Sequence, residues 1–283
     1  MQNTIAIICD CDETLAPDTT NFLLEQNDIK IKPFWNKITK MVSQGWDPPQ
    51  AWMVEILKMI QSGQITQDTN ENLAKLGKKI TPYDGVPEFI PQIKSMVKKN
   101  KDFDEAGVNI EFYIISSGFE DLIKGSILSK HFTDIFAGRF NEDTKTGKID
   151  NIKSNVTFTE KTKFLYAINK GITGKELRRC PFRVNDAIKP EDRRIPFKYM
   201  VYLGDGPGDI PCFSAVKGYG GECIGIVGQN SVNKGYQLAR GKRTTVGPYS
   251  RNYKKGSDLR NMLDTIVKEI GYDIVKEKKK HLT

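Results

Sequence analysis

Four short segments of this chain carry residue types that can do chemistry. Asp10 and Asp12 stand two apart in Asp10-Cys11-Asp12-Glu13-Thr14-Leu15, at the end of an apolar run that begins at Thr4. Side chains at i and i+2 of an extended chain leave on the same side, so the two carboxylates would project together. Ser116-Ser117-Gly118-Phe119 ends a second apolar run. A hydroxyl followed by small residues before a helix makes a pocket of backbone N–H groups suited to an oxyanion or phosphate. Gly204-Asp205-Gly206-Pro207-Gly208-Asp209 places two aspartates four apart in a glycine-rich loop, and hard carboxylate oxygens of this kind suit Mg²⁺. Lys161 opens a helical stretch over 161–168. Singly, each signal is weak. Acidic pairs are mostly solvated turns, Ser-Ser-Gly is a common turn, and a lone lysine is normally a surface residue.

The elements expected to position these groups alternate between strand and helix. Buried strands are expected over 4–10, 110–115, 199–203 and 223–227, each a compact run rich in aliphatic residues. Helical patterns lie between them, which predicts an α/β fold: a parallel sheet with helices on both faces. Ligands of such sheets bind outside the carboxyl ends of the strands, where three of the four segments fall. Residues 17–79 are different, being purely helical. Phe34, Trp35, Ile38, Met41 and Val42 share one helical face, and Met53, Ile56, Leu57 and Ile60 share another. Asp68 or Thr69 is expected to cap a third helix. A further helix is expected over 120–130, a hairpin around 141–148, and a final helix over 258–270 that ends at Gly271 and leaves a solvated Lys276–Lys280 tail.

Taken together and in this order, the four segments resemble the motifs of the haloacid dehalogenase-like superfamily, in its phosphoserine phosphatase-like branch. The resemblance implies a Rossmann-like catalytic core formed by residues 1–16 and 80–283, with an all-helical cap over 17–79 inserted after the first strand. It also implies a Mg²⁺-dependent phosphatase acting on a small-molecule phosphomonoester. Asp10 would be the nucleophile and carry an aspartyl-phosphate. Asp12 would act as general acid and then base. Ser116, Ser117, Gly118 and Lys161 would hold the phosphate. Asp10, the Asp12 backbone carbonyl, Asp205 and Asp209 would hold the metal, Asp209 directly or through water. The four aspartates bring −4, and Lys161 with Mg²⁺ brings +3, so a phosphate dianion would be repelled without the cation. A phosphotransferase using the same intermediate is the alternative.

Several departures bear on the substrate. Relatives specific for phosphoserine carry an acidic residue nine positions after the nucleophile, where this chain has Thr19, with Asp18 one earlier. Free phosphoserine is therefore expected to be a poor substrate. Glu13 stands where small residues are frequent. Phe34, Trp35, Trp46 and Trp52 are expected to form the core of the helical insert, with room for one of them to face the substrate. The arginine-rich stretch 175–194 is either a solvated loop or a clamp for an anion.

Composition removes other classes. With 38% hydrophobic and 28% charged residues the chain is neither disordered nor fibrous. His131 and His281 are the two histidines and lie far apart in sequence, which disfavours a histidine-ligated zinc site or a Ser-His-Asp triad. Five cysteines without CxxC spacing point to free thiols in a reducing compartment. The first apolar run is too short to span a bilayer or form a signal-peptide core, so a cytoplasmic location without membrane attachment is expected. The net charge of +8 favours anionic ligands. Nucleic acid is disfavoured as a partner, because a pure binder has little reason to turn four aspartates toward a polyanion.

Overall fold

The computed structural model describes residues 2–228 and 232–280. In chain order, β1 (Thr4–Cys9) leads to α1 (Thr19–Glu25), α2 (Ile31–Ser43), α3 (Pro48–Gln61) and α4 (Asn70–Gly77). α5 (Val86–Lys99) and α6 (Lys101–Ala106) precede β2 (Asn109–Phe119) and α7 (Glu120–Gly125). β3 (Asp134–Glu142), β4 (Ile149–Ser154), α8 (Glu160–Lys170) and α9 (Gly174–Arg179) follow. The chain continues through β5 (Met200–Gly204), α10 (Ile210–Gly218), β6 (Glu222–Val227), α11 (Val232–Arg240), β7 (Val246–Ser250) and α12 (Asp258–Lys280).

The seven strands form one sheet in the order β4-β3-β2-β1-β5-β6-β7. All neighbours are parallel except β3 and β4, which form an antiparallel hairpin. This is the expected α/β architecture, with helices on both faces. β1 shows why both faces must be covered: all six of its residues are buried. Ile5, Ile7 and Cys9 pack into one core with α5, α6 and α12, while Ala6 and Ile8 pack into the other with α8 and α10. Strand parity therefore aims Asp10, which continues the Ala6 and Ile8 side, toward α8. β1 lies mid-sheet between β2 and β5, so the two strand-end loops that flank Asp10 are those after β2 and β5.

Residues between β1 and α5 are helical, as expected, and Thr69 caps α4 by accepting from the Asn72 N–H. These helices rest on the β3–β4 hairpin through polar contacts. Ile149 N–H donates to the Asp68 carbonyl at 2.8 Å, Asn70 N–H to Glu142 at 2.7 Å, and Asn155 to Gln50 at 2.9 Å.

Two sequence expectations need correction, and one strand went unanticipated. The helix over 120–130 is two pieces, α7 and a 3-10 turn at Ile127–Lys130, because the Ser126 hydroxyl caps the second piece by accepting from Leu128 N–H. β7 is the unanticipated strand: it carries Pro248, which is tolerated in an edge strand because its outer side needs no ladder bond. The final helix does not stop at Gly271 but runs to Lys280. Lys276–Lys280 is therefore helical, with Lys276, Lys279 and Lys280 exposed as expected of a solvated end and with Glu277 accepting from Tyr199 Oη at 2.6 Å. His281 lies outside the described residues.

Gly271 serves packing rather than termination. A Cβ there would lie 2.5 Å from the ring of Phe103, which is itself fully buried. Gly271→Val should therefore overpack this contact and cost roughly 2 kcal/mol. A thermal melt should show a midpoint several degrees lower, and an unchanged midpoint would contradict the packing assignment.

Candidate active site

Asp10 follows the last residue of β1, and its N–H donates to the Leu203 carbonyl at 2.9 Å, which extends the β1–β5 ladder. The chain then turns tightly. The Cys11 carbonyl accepts from Leu15 N–H at 2.8 Å, and Glu13 adopts a φ of 57°. Cys9 and Cys11 point away from the site into the core, both fully buried.

Asp10, Asp205 and Asp209 come together so that one carboxylate oxygen from each lies within 4.8 Å of the others. Lys161, 2% exposed, reaches this cluster from the first turn of α8. Its ammonium lies 3.0 Å from Asp10 Oδ1 and 2.8 Å from Asp209 Oδ1. Asp209 is saturated from the protein side. Besides Lys161, its Oδ1 accepts from Tyr202 Oη at 2.8 Å, and its Oδ2 accepts from the N–H groups of Asp205 at 3.1 Å and Gly206 at 3.3 Å. It thus holds both Lys161 and the loop that carries Asp205.

The Asp12 carboxylate is turned elsewhere. It accepts from Thr19 N–H at 2.7 Å and from Ser116 Oγ at 3.3 Å, and it is not part of the three-carboxylate cluster. Any contribution of Asp12 to a cation would come from its backbone carbonyl, as the resemblance implies. Ser116 is fully buried behind Asp12, and its hydroxyl accepts from Gly118 N–H at 2.9 Å. Ser117 and Gly118 line the cavity beside Asp10 and Lys161, whereas Ser116 does not. Gly118 must be small, because a Cβ there would sit 2.8 Å from both Asp12 Oδ2 and Thr19 Oγ1.

Burial and the neighbouring Asp209 carboxylate push Asp10 well above the usual carboxylate range, partly offset by Lys161. Burial also raises Asp12, against the hydrogen bonds from Thr19 that pull it down. Burial by itself would lower the Lys161 ammonium, but Asp10 and Asp209 hold it well above its ordinary value. Excess negative charge in a dry pocket of oxygen donors is what a hard divalent cation would relieve. The donor set therefore fits Mg²⁺.

The cavity over these groups measures about 210 Å³. Trp35 and Trp52 contribute its wall from α2 and α3, and Phe158 joins them. Phe34 is core, as expected of the insert's aromatics. Trp46, by contrast, is 41% exposed in the α2–α3 turn and does not line the cavity. Two further residues went unanticipated. A buried Tyr202 reads as ordinary strand core, and its parity toward α8 was the available signal. Asp18 lines the cavity while capping α1, accepting from Asn21 N–H at 2.7 Å. Burial and Asp12 raise Asp18 to about 7. The arginine-rich stretch supplies none of the cavity wall. Arg194 pairs with Glu111, and Arg183 with Glu176 at 2.9 Å.

No protein-family model matches the chain. It is 25% identical over 285 residues to an uncharacterized protein of Borreliella burgdorferi, covering 93% of this chain and 96% of that one. Among solved structures, it is similar to a substrate-bound phosphoserine phosphatase at a TM-score of 0.53 and 20% identity, covering 94% of this chain and all of the other. A phosphoserine phosphatase with an analogue of its phospho-aspartyl intermediate gives 0.53 and 21%, covering 93% and 99%. At these identities the similarity establishes the fold, which is that of the phosphoserine phosphatase-like haloacid dehalogenase proteins.

Proposed function

We propose that the protein is a Mg²⁺-dependent phosphomonoesterase that works through an aspartyl-phosphate on Asp10. The observation that carries this is the buried cluster in which Lys161 bridges Asp10 and Asp209 beside Asp205. A phosphoserine phosphatase of this fold has been captured with an analogue of a phospho-aspartyl intermediate, in keeping with the role given to Asp10.

Asp10 attacks phosphorus. Lys161 and the backbone N–H of Ser117, beside the small Gly118, bind the phosphoryl oxygens and orient them for attack. Asp12, held by Thr19 and Ser116, gives its proton to the leaving oxygen and then takes one from the attacking water. Its raised affinity for a proton suits the acid half of that cycle. Asp10 and Asp205, with the Asp12 carbonyl, would hold Mg²⁺, and Asp209 would complete the set directly or through water. Bound there, the cation would neutralise charge on the carboxylates and the phosphoryl group. The helices over 17–79 act as a cap that excludes water and reads the leaving group. We place the enzyme in the cytoplasm. Its five cysteines are free, and among the described residues no helix is long and apolar enough to cross a membrane.

Phosphate release from an aryl phosphate should be seen with Mg²⁺ and lost in EDTA. No release under either condition would count against the reading. Mg²⁺ should also raise the melting midpoint of the EDTA-stripped protein. At 100 times its Kd the stabilisation is about 2.7 kcal/mol, or several degrees for a chain of this size. Asp205→Asn should remove most of that shift.

A further inference from the structure

Beside the groups assigned to the phosphoryl chemistry, the cavity lining includes Asp18, Trp35 and Trp52, to which that chemistry gives no role. Trp35 and Trp52 meet at an angle of 71° with ring centroids 5.8 Å apart, forming an aromatic corner. Trp35 is locked in place. Its Nε1–H donates to Asn21 Oδ1 at 2.6 Å, and Phe34 packs edge-on at 5.2 Å. The Trp52 indole N–H is buried and finds no partner among the described residues. A buried indole N–H usually has one, which sets Trp52 apart from Trp35. Asp18 lines the same cavity.

Charge narrows the leaving group further. Six carboxylates line the cavity, from Asp10, Asp12, Glu13, Asp18, Asp205 and Asp209, against one basic side chain, Lys161. Glu13 is answered by Arg251 and Lys161 by Asp10 and Asp209. A leaving group bearing its own carboxylate would meet no basic partner in this lining. A neutral one could gain a hydrogen bond from Asp18, whereas a cation would also meet its charge.

We propose that the substrate's leaving group is a small organic cation, an alkylated ammonium alcohol, seated in the corner of Trp35 and Trp52 with Asp18 as its counter-charge. This rests on the phosphatase reading and specifies its substrate class. The faces of indole rings attract weakly hydrated ammonium groups, and alkylation lowers the hydration that would compete. The carboxylate supplies the long-range part of the attraction.

The test compares phosphocholine with its uncharged isostere, in which a tert-butyl group replaces the trimethylammonium. With Mg²⁺ present, kcat/KM for phosphocholine should exceed that for the isostere by about tenfold or more. Asp18→Asn keeps the α1 cap, since asparagine caps as well as aspartate, and should reduce the ratio, as should Trp52→Leu. A wild-type ratio near one would overturn the proposal while leaving the phosphatase reading intact. So would a ratio that neither substitution moves. If the wild type hydrolyses neither ester, release from the aryl phosphate still decides the phosphatase reading, and calorimetric binding of the two esters decides the proposal: tenfold tighter phosphocholine supports it and equal affinity overturns it.

Discussion

Asp10→Asn is expected to lower phosphate release from any ester by several orders of magnitude and to leave the fold intact. The loss is wholesale because covalent catalysis has no substitute when its nucleophile is gone. The fold survives because asparagine keeps the shape of the side chain and Lys161 keeps its 2.8 Å contact with Asp209. Stability should change with a definite sign. The folded-state Asp10 carboxyl is raised well above its ordinary value by burial and by Asp209. In EDTA the wild type therefore loses stability as pH rises from the ordinary carboxylate range toward that raised value. The asparagine of the variant does not titrate, so the variant should match the wild type in acid and gain on it toward neutral pH. Melting midpoints across pH, beside phosphate release, check both parts. Substantial turnover in the folded variant would remove Asp10 from the nucleophile's role.

Much of the architecture was legible because a parallel sheet covered on both faces writes itself as short aliphatic runs. Ile5, Ile7 and Ile8 could belong to little else than a buried strand. The site was legible for a related reason. Asp10 and Asp205 each follow a strand directly, and Lys161 opens a helix, so the topology that brings strand ends together also brings these residues together. What stayed hidden depended on tertiary contact. Tyr202 looks like any core tyrosine until Asp209 is seen beside its hydroxyl. Ser116 gives no sign in sequence that its hydroxyl lies between Asp12 and the Gly118 N–H. Gly271 looks like a helix stop until the Phe103 ring is found against it. Trp35, Trp46 and Trp52 are alike in sequence, and only the packing of α2 and α3 separates the exposed ring from the two that wall the cavity.

Lys161→Met should damage stability and activity together, and the two losses have different causes. Methionine approximates the length of the lysine stem but brings no charge. It leaves Asp10 and Asp209 buried without their shared cation. Removing one partner of a buried ion pair costs roughly 3–5 kcal/mol, so urea unfolding at neutral pH in EDTA should show a large drop. Acid should shrink the deficit, because protonation removes the uncompensated charge. Adding Asp209→Asn to Lys161→Met should recover part of the loss, since the second change removes one of the stranded carboxylates, and a double-mutant cycle would read the coupling. Catalysis should not recover in that double variant, because no ammonium remains to hold the phosphoryl oxygens. Lys161→Arg should not substitute either: the slot is 2% exposed, and a planar guanidinium cannot replace a compact ammonium between two oxygens about 3 Å away. Wild-type stability in Lys161→Met would mean that the bridge carries no net energy. Restored turnover in the double variant would mean that Lys161 serves only to balance Asp209.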